Sequence, residues 1–252
     1  MTAVFVHGVP ETGRIWDGVR ALLPTDSIAL DLPGFGNPRP AGFSATKDAY
    51  AQWLEDQLRQ IEGPIDLVGH DWGALLVLRV ASATDTPLRS WTADVAGLFQ
   101  PDYVWHPTAR IWQTPGDGEA WLAAATAASP DSPNNTTARL RAMRVPPAQA
   151  ELIGAANDET MNACILALYR SAVPNLHADW ATELPAARRT PGLVVIPTDD
   201  HFNDDRMSSL TAHDTGARII RPQGLGHAWM AQDPTAAAQL LQDFWSSLPT
   251  TT

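Results

Sequence analysis

The segment Gly69-His70-Asp71-Trp72-Gly73 sets one carboxylate between two glycines, directly after the apolar run Leu67-Val68. A strand that enters a tight Gly-x-Asp-x-Gly turn and leaves as a helix is a nucleophile elbow, here with aspartate where serine is more usual. The glycines are needed because side chains flanking the nucleophile would collide with the adjoining strand and helix. The Trp72 backbone N–H then points at the reacting group and can stabilise an oxyanion. The N-terminus of the helix favours the ionised carboxylate. Taken alone, the segment can also be read as an ordinary strand–helix turn with Asp71 as its N-cap. A second segment weighs against that: His7-Gly8-Val9-Pro10 follows the apolar run Val4-Phe5-Val6. There it can present the Val9 N–H toward the same oxyanion, and a cis bond before Pro10 would fix the turn. The stretch Asp31-Leu32-Pro33-Gly34-Phe35-Gly36 reads as a structural loop, with Asp31 stabilising a turn rather than catalysing.

The elements that must position these residues are six short apolar runs. They are Val4–Val6, Ser27–Leu30, Asp66–Val68, Arg89–Val95, Gly192–Ile196 and Arg218–Ile220, each followed by a turn signal. Helical patterns lie between them, at Lys47 to Glu62, Ala74 to Ala83 and Pro234 to Ser247. Strand and helix in alternation predict an α/β fold, a mostly parallel sheet with helices on both faces. Ligands bind such sheets at the carboxyl ends of the strands, which is where the candidate residues fall. Residues 98–184 break the rhythm. They hold no good strand but carry Trp105, Trp112, Trp121, Trp180, Tyr103 and Tyr169 and a Ser/Pro/Asn-rich loop. The expected organisation is a core of residues 1–97 and 185–252, with 98–184 as a helical cap over the strand ends.

At 252 residues and 44 % hydrophobic, the chain can bury a sizeable core. A net charge of -11 argues against nucleic acid and anionic membranes as partners. Cys164 is the single cysteine, so no internal disulfide can form; it reads as a buried small hydrophobe in a protein of a reducing compartment. No signal peptide and no apolar run of roughly 18 residues is present, so a cytoplasmic location is expected. The histidines lack metal-ligand spacing, and there is no phosphate loop or dinucleotide fingerprint, so no cofactor is expected.

Together His7-Gly8-Val9-Pro10, Asp31-Leu32-Pro33-Gly34-Phe35-Gly36 and Gly69-His70-Asp71-Trp72-Gly73 resemble the epoxide hydrolase and haloalkane dehalogenase branch of the α/β-hydrolase superfamily. The resemblance spans nearly the whole chain, and it implies a two-step mechanism. Asp71 attacks a substrate carbon to form an alkyl-enzyme ester, and a histidine then activates water to hydrolyse that ester. The oxyanion of the second step would meet the N–H groups of Trp72 and Val9. The histidine is expected after the last strand, at His227 in Gly224-Leu225-Gly226-His227. His70 is expected to point away. The acid that orients the histidine is expected at Asp200, with Asp199 and Asp94 as alternatives. The family usually has two further strands before the His-Gly-Val-Pro turn. Without them, a sheet of about six strands is expected, its edge blunted by a covering segment or by a partner in a homodimer.

The leaving group divides the branch. An epoxide oxygen needs proton donors, which family epoxide hydrolases supply as two cap tyrosines. A halide needs N–H donors, often two tryptophans. Tyr169-Arg170-Ser171-Ala172 resembles the segment carrying one of those tyrosines. The second donor position falls on Thr108, His106 or Tyr103, depending on register, and His106 could take the tyrosine's role. His7, Pro10, Trp105, Trp112 and Trp180 are expected to line the pocket, around an apolar or aromatic epoxide. Epoxide hydrolysis is the favoured reading and haloalkane dehalogenation the alternative. A non-catalytic ligand-binding protein of the same fold is a minor third.

Overall fold

The computed structural model describes residues 1–249. Its strands are β1 (Thr2–Val6), β2 (Ser27–Leu30), β3 (Ile65–Gly69), β4 (Leu88–Ala93), β5 (Gly192–Val195) and β6 (Arg218–Ile220). They form one all-parallel sheet in the order β2-β1-β3-β4-β5-β6. Every predicted strand is present, with ends displaced by a residue or two. β4 stops two residues short of its expected end, at Ala93, because Asp94 turns its carboxylate to the neighbouring elbow and Val95 takes a left-handed φ of 38°.

β1 and β3 are buried along almost their whole length, as strands covered on both faces must be. On one face the helices Lys47–Leu58 and Trp72–Ala83 pack into a large apolar cluster that continues into residues 98–184. Trp72–Ala83 is apolar nearly all round, so it is held between sheet and neighbours rather than on the surface. On the other face, helix Pro234–Ser246 lays down Ala237, Leu241, Phe244 and Trp245. Asp233 caps it, accepting the Ala236 N–H at 2.9 Å, and Pro234 occupies its first turn.

Residues 98–184 contain no strand; they are built from helices such as Pro107–Gln113, Thr136–Ala142 and Glu159–Arg170. The last of these starts at Asp158, which accepts the Met161 N–H at 2.8 Å. It buries Met161, Cys164, Ile165, Leu168 and Tyr169 on one face. Two side chain–backbone bonds tie it to Pro107–Gln113: Gln113 Nε2 to the Tyr169 carbonyl and Arg170 Nε to the Trp112 carbonyl, each 3.2 Å. No helix among the described residues is long and apolar enough to cross a membrane.

The strand order reverses between β1 and β3, since β2 lies outside β1 on one side and β4 follows β3 on the other. That is the topological switch point, where two successive loops diverge and leave a crevice at the strand ends. The loops there are His7–Glu11 and Gly69–Gly73.

Candidate active site

Asp71 sits at the turn between β3 and helix Trp72–Ala83 with φ 49° and ψ -123°, a conformation rare for a residue with a side chain. Such backbone costs on the order of 1–3 kcal/mol and persists only where its surroundings impose it. Those surroundings are explicit here. A Cβ on Gly69 would overlap the Gly73 backbone, and one on Gly73 would overlap the Val6 and His7 carbonyls. A Cβ on Gly8 would overlap the Asp71 side chain itself, so this third glycine lets the β1 loop reach the nucleophile position. The Asp71 N–H donates to Asp94 Oδ1 at 2.8 Å, which holds the turn from the adjacent strand.

The Val9 N–H donates to Asp71 Oδ1 at 2.8 Å, and the Trp72 N–H supports the same carboxylate. The Val9–Pro10 peptide is cis. Burial pushes the Asp71 carboxyl above the usual range, against the pull of His227, His70 and these two N–H groups. Asp71 Oδ2 faces His227 Nε2 across 3.9 Å, too far for a direct hydrogen bond.

His227 Nδ1 lies 3.0 Å from Asp200 Oδ2. Asp200 is buried, and its Oδ1 accepts the Phe202 N–H at 2.9 Å. The two loops are laced together: the Asp199 N–H donates to the Leu225 carbonyl at 2.9 Å, and the Gly224 N–H to Thr198 Oγ1 at 2.8 Å. Burial disfavours charge on His227, but Asp200, and then Asp71, outweigh it and lift its pKa. Of the three candidate acids, only Asp200 meets His227. Asp199 turns outward toward Arg144, 3.8 Å away. Asp94 is occupied, its Oδ2 taking His70 Nδ1 at 2.6 Å and Trp229 Nε1 at 2.8 Å.

His70 stays out of the cleft but is not remote from the site. Its ring packs 4.6 Å from that of His227 and is fully buried between Asp94 and Glu11, with Nε2 3.4 Å from Glu11 Oε1. Burial opposes its charge, yet the two carboxylates raise its pKa well above the ordinary value. Glu11, whose Oε2 accepts the Gly8 N–H at 3.2 Å, has no signal in the sequence beyond following Pro10.

Residues 98–184 supply the other wall of a cleft. Pro10, Asp71, His106, Trp112, Tyr169 and His227 all line it. A smaller recess behind Asp71 is walled by Trp72, Tyr103 and Trp105. Tyr169 meets Trp72, Trp105 and Trp112 at 5.3, 5.4 and 4.8 Å between ring centres. Burial, and then the charge of Asp71, hold its hydroxyl protonated far beyond the usual range. His106 caps helix Pro107–Gln113, its Nδ1 accepting the Ala109 N–H at 3.2 Å. Burial and the nearby charge of Arg139 bring its pKa down to about 4. His106 is therefore neutral, with its proton on Nε2.

Two expected pocket residues lie elsewhere. Trp180 donates its indole N–H to Asp48 at 2.8 Å and is covered by Lys47 and Arg79, away from the cleft. His7 is fully buried behind β1, where its Nε2 accepts the Leu32 N–H at 3.0 Å and its ring leans on Phe35. Asp31 accepts the Gly13 N–H at 2.6 Å, tying its loop to the segment after β1.

A doubly covered parallel sheet, with a strained strand–helix elbow at its switch point and a histidine–carboxylate pair on the loops after the last two strands, has the layout of the α/β hydrolases. The sequence profile of the alpha/beta hydrolase family matches residues 3–240, and the chain belongs to that family. Lipase LipV of Mycobacterium tuberculosis is 37 % identical over 82 residues, which span 31 % of this chain and only 30 % of LipV. Among solved structures, a loop variant of the haloalkane dehalogenase DbeA from Bradyrhizobium elkanii superposes with a TM-score of 0.68 at 21 % identity, covering 97 % of this chain and 89 % of that one. E-2-(acetamidomethylene)succinate hydrolase superposes with a TM-score of 0.67 at 17 % identity, over 98 % of this chain and 91 % of its own. At these identities the likeness is one of fold.

Proposed function

We propose that this hydrolase opens an epoxide to a vicinal diol through an ester on Asp71. The observation that carries the reading is the proton supply opposite the carboxylate. The Tyr169 hydroxyl borders the cleft and donates to no protein group among the described residues; the Trp72 indole N–H approaches its oxygen without closing a hydrogen bond. His106 Nε2–H borders the same cleft as a second donor. As Asp71 Oδ2 attacks carbon, the C–O bond of the ring breaks and its oxygen takes a proton from Tyr169. Water then enters between His227 and the ester. His227 Nε2 removes its proton while Asp200 holds Nδ1–H, and the Val9 and Trp72 N–H groups receive the oxyanion. Its collapse breaks the ester C–O bond, His227 passes its proton to the departing diol oxygen, and the proton left on the Asp71 carboxyl returns to Tyr169.

Tyr169→Phe is expected to slow ring opening by about 100-fold or more, the lower range for losing a positioned acid. It should leave ester hydrolysis unchanged. Single-turnover quench measurements separate the two steps, and an unaltered opening rate would remove Tyr169 from the reaction.

The hydrolytic step carries its own pH signature. His227 is active only when neutral, so its contribution is lost as pH falls through its raised pKa. Esterified Asp71 no longer lifts that pKa, so the limb for ester hydrolysis should lie below that of the free enzyme. Asp200→Asn should move it lower still while slowing the step. A flat rate down to about pH 5 would exclude a histidine base of this kind.

One observation favours haloalkane dehalogenation as a second reading. The indole N–H groups of Trp72 and Trp112 are both buried and lack acceptors. Two such donors would suit a departing halide.

A further inference from the structure

Helix Thr136–Ala142 brings to the cleft a charge that the protein leaves unanswered. Arg139 lines the cleft beside His106, Trp112 and Tyr169. Its guanidinium lies 5.9 Å from the centre of the Trp112 ring and 5.2 Å from that of Trp121. Among the described residues, no carboxylate pairs with it and its side chain donates no hydrogen bond. Three arginines of the same region behave otherwise: Arg141 pairs with Asp131 and Glu151, Arg144 approaches Asp199, and Arg170 pairs with Glu119. Burial works against the Arg139 charge. The aromatic faces compensate in part, but they leave the planar fork of N–H donors free.

We propose that Arg139 anchors a carboxylate on the substrate, so that the compound opened at Asp71 is an epoxide of an organic acid; this rests on the reading of Asp71 as the nucleophile. A guanidinium fork matches a planar carboxylate with two parallel hydrogen bonds. The anchored group is a monoanion because, among the described residues, Arg139 is the one arginine or lysine lining a cleft that also holds Asp71. A phosphate ester would bring two charges to one. Leu140, Met143 and Trp112 line the cleft alongside, so the acid's body is apolar or aromatic. Held by its carboxylate, such a substrate turns its ring toward Asp71 and Tyr169 in one orientation.

The test begins with binding alone. Wild-type protein is titrated with phenylacetate and with uncharged phenylacetamide, using tryptophan fluorescence. Phenylacetate is expected to bind about tenfold or more tighter, the range for a charge-assisted pair. Arg139→Met should abolish that preference while leaving phenylacetamide affinity within about twofold. Should Arg139→Met fail to fold, Arg139→Lys keeps the charge but not the fork and should lose most of the preference. In turnover, 3-phenylglycidate should exceed its amide in kcat/KM by about tenfold, mainly through KM, and only when Arg139 is present. No preference in the wild type, or a preference that survives both substitutions, overturns the proposal. Displacement of phenylacetate by equimolar sulfate overturns the carboxylate assignment. A carboxylate preference that follows Arg139 while neither glycidyl compound is turned over would uphold the anchor and reject the epoxide reading.

Discussion

Asp71→Asn is expected to reduce turnover by about four orders of magnitude or more, the scale seen when a covalent nucleophile is removed and its supporting groups remain. The Val9 N–H, the Trp72 N–H and the His227–Asp200 pair would all still be present, so the loss isolates bond formation to carbon. The variant should also fold. Asparagine is among the residues that best tolerate positive φ, and Asp71 sits at 49°. Burial raises the Asp71 pKa, so the folded protein binds that proton more tightly than the unfolded chain does. The stability given up by ionising Asp71 begins to be lost as pH rises past the ordinary carboxylate range. An uncharged amide avoids that loss, and the melting temperature at neutral pH should be equal or higher. An amide so close to His227 could be hydrolysed back to aspartate, so activity must be read with the intact mass of the same sample. Full turnover with the amide intact would remove Asp71 from the mechanism.

The parts of this site that depend on local chain chemistry were legible in the sequence. A nucleophile on a strained turn requires glycine at defined offsets, so Gly69 and Gly73 announced the elbow. The strand ends followed because short β-branched runs stop where glycine or proline begins. What depended on three-dimensional convergence was not legible. Asp94 and Asp200 both follow strands that border the site, and only the landing point of the His227 ring decides which carboxylate it meets. Trp180 and Trp112 have equal claims as aromatic residues in a helical segment, yet one turned to Asp48 and the other to the cleft. His7 belonged to a diagnostic motif but serves the packing beneath it. Arg139 carried no signal at all, because an arginine without a partner is recognised only when every acid around it has been located.

His227→Gln is expected to stop the reaction at the ester, and it discriminates among the three readings of the cleft. Alkylation needs Asp71 ionised and a donor for the leaving group, neither of which is His227. Hydrolysis needs a base beside the ester carbonyl, and His70 cannot replace the lost one. Although its ring lies 4.6 Å from His227, its two nitrogens face Asp94 and Glu11 rather than the ester, and those carboxylates raise its pKa. Its proximity also pulls the His227 pKa down, against the larger lift from Asp200. Ester should therefore accumulate to about one equivalent, with turnover slowed by about 10⁴-fold or more. The variant would be mixed separately with epoxides and haloalkanes, each with and without a carboxylate, and weighed intact. A gain equal to a whole epoxide, mapped to the Asp71 peptide, means ring opening with all atoms retained. A gain equal to a haloalkane less hydrogen halide means displacement, and would assign the free indoles of Trp72 and Trp112 to the halide. Absence of any adduct from all four panels would reject Asp71 as an alkylated nucleophile for these compounds and leave a cleft that binds without reacting.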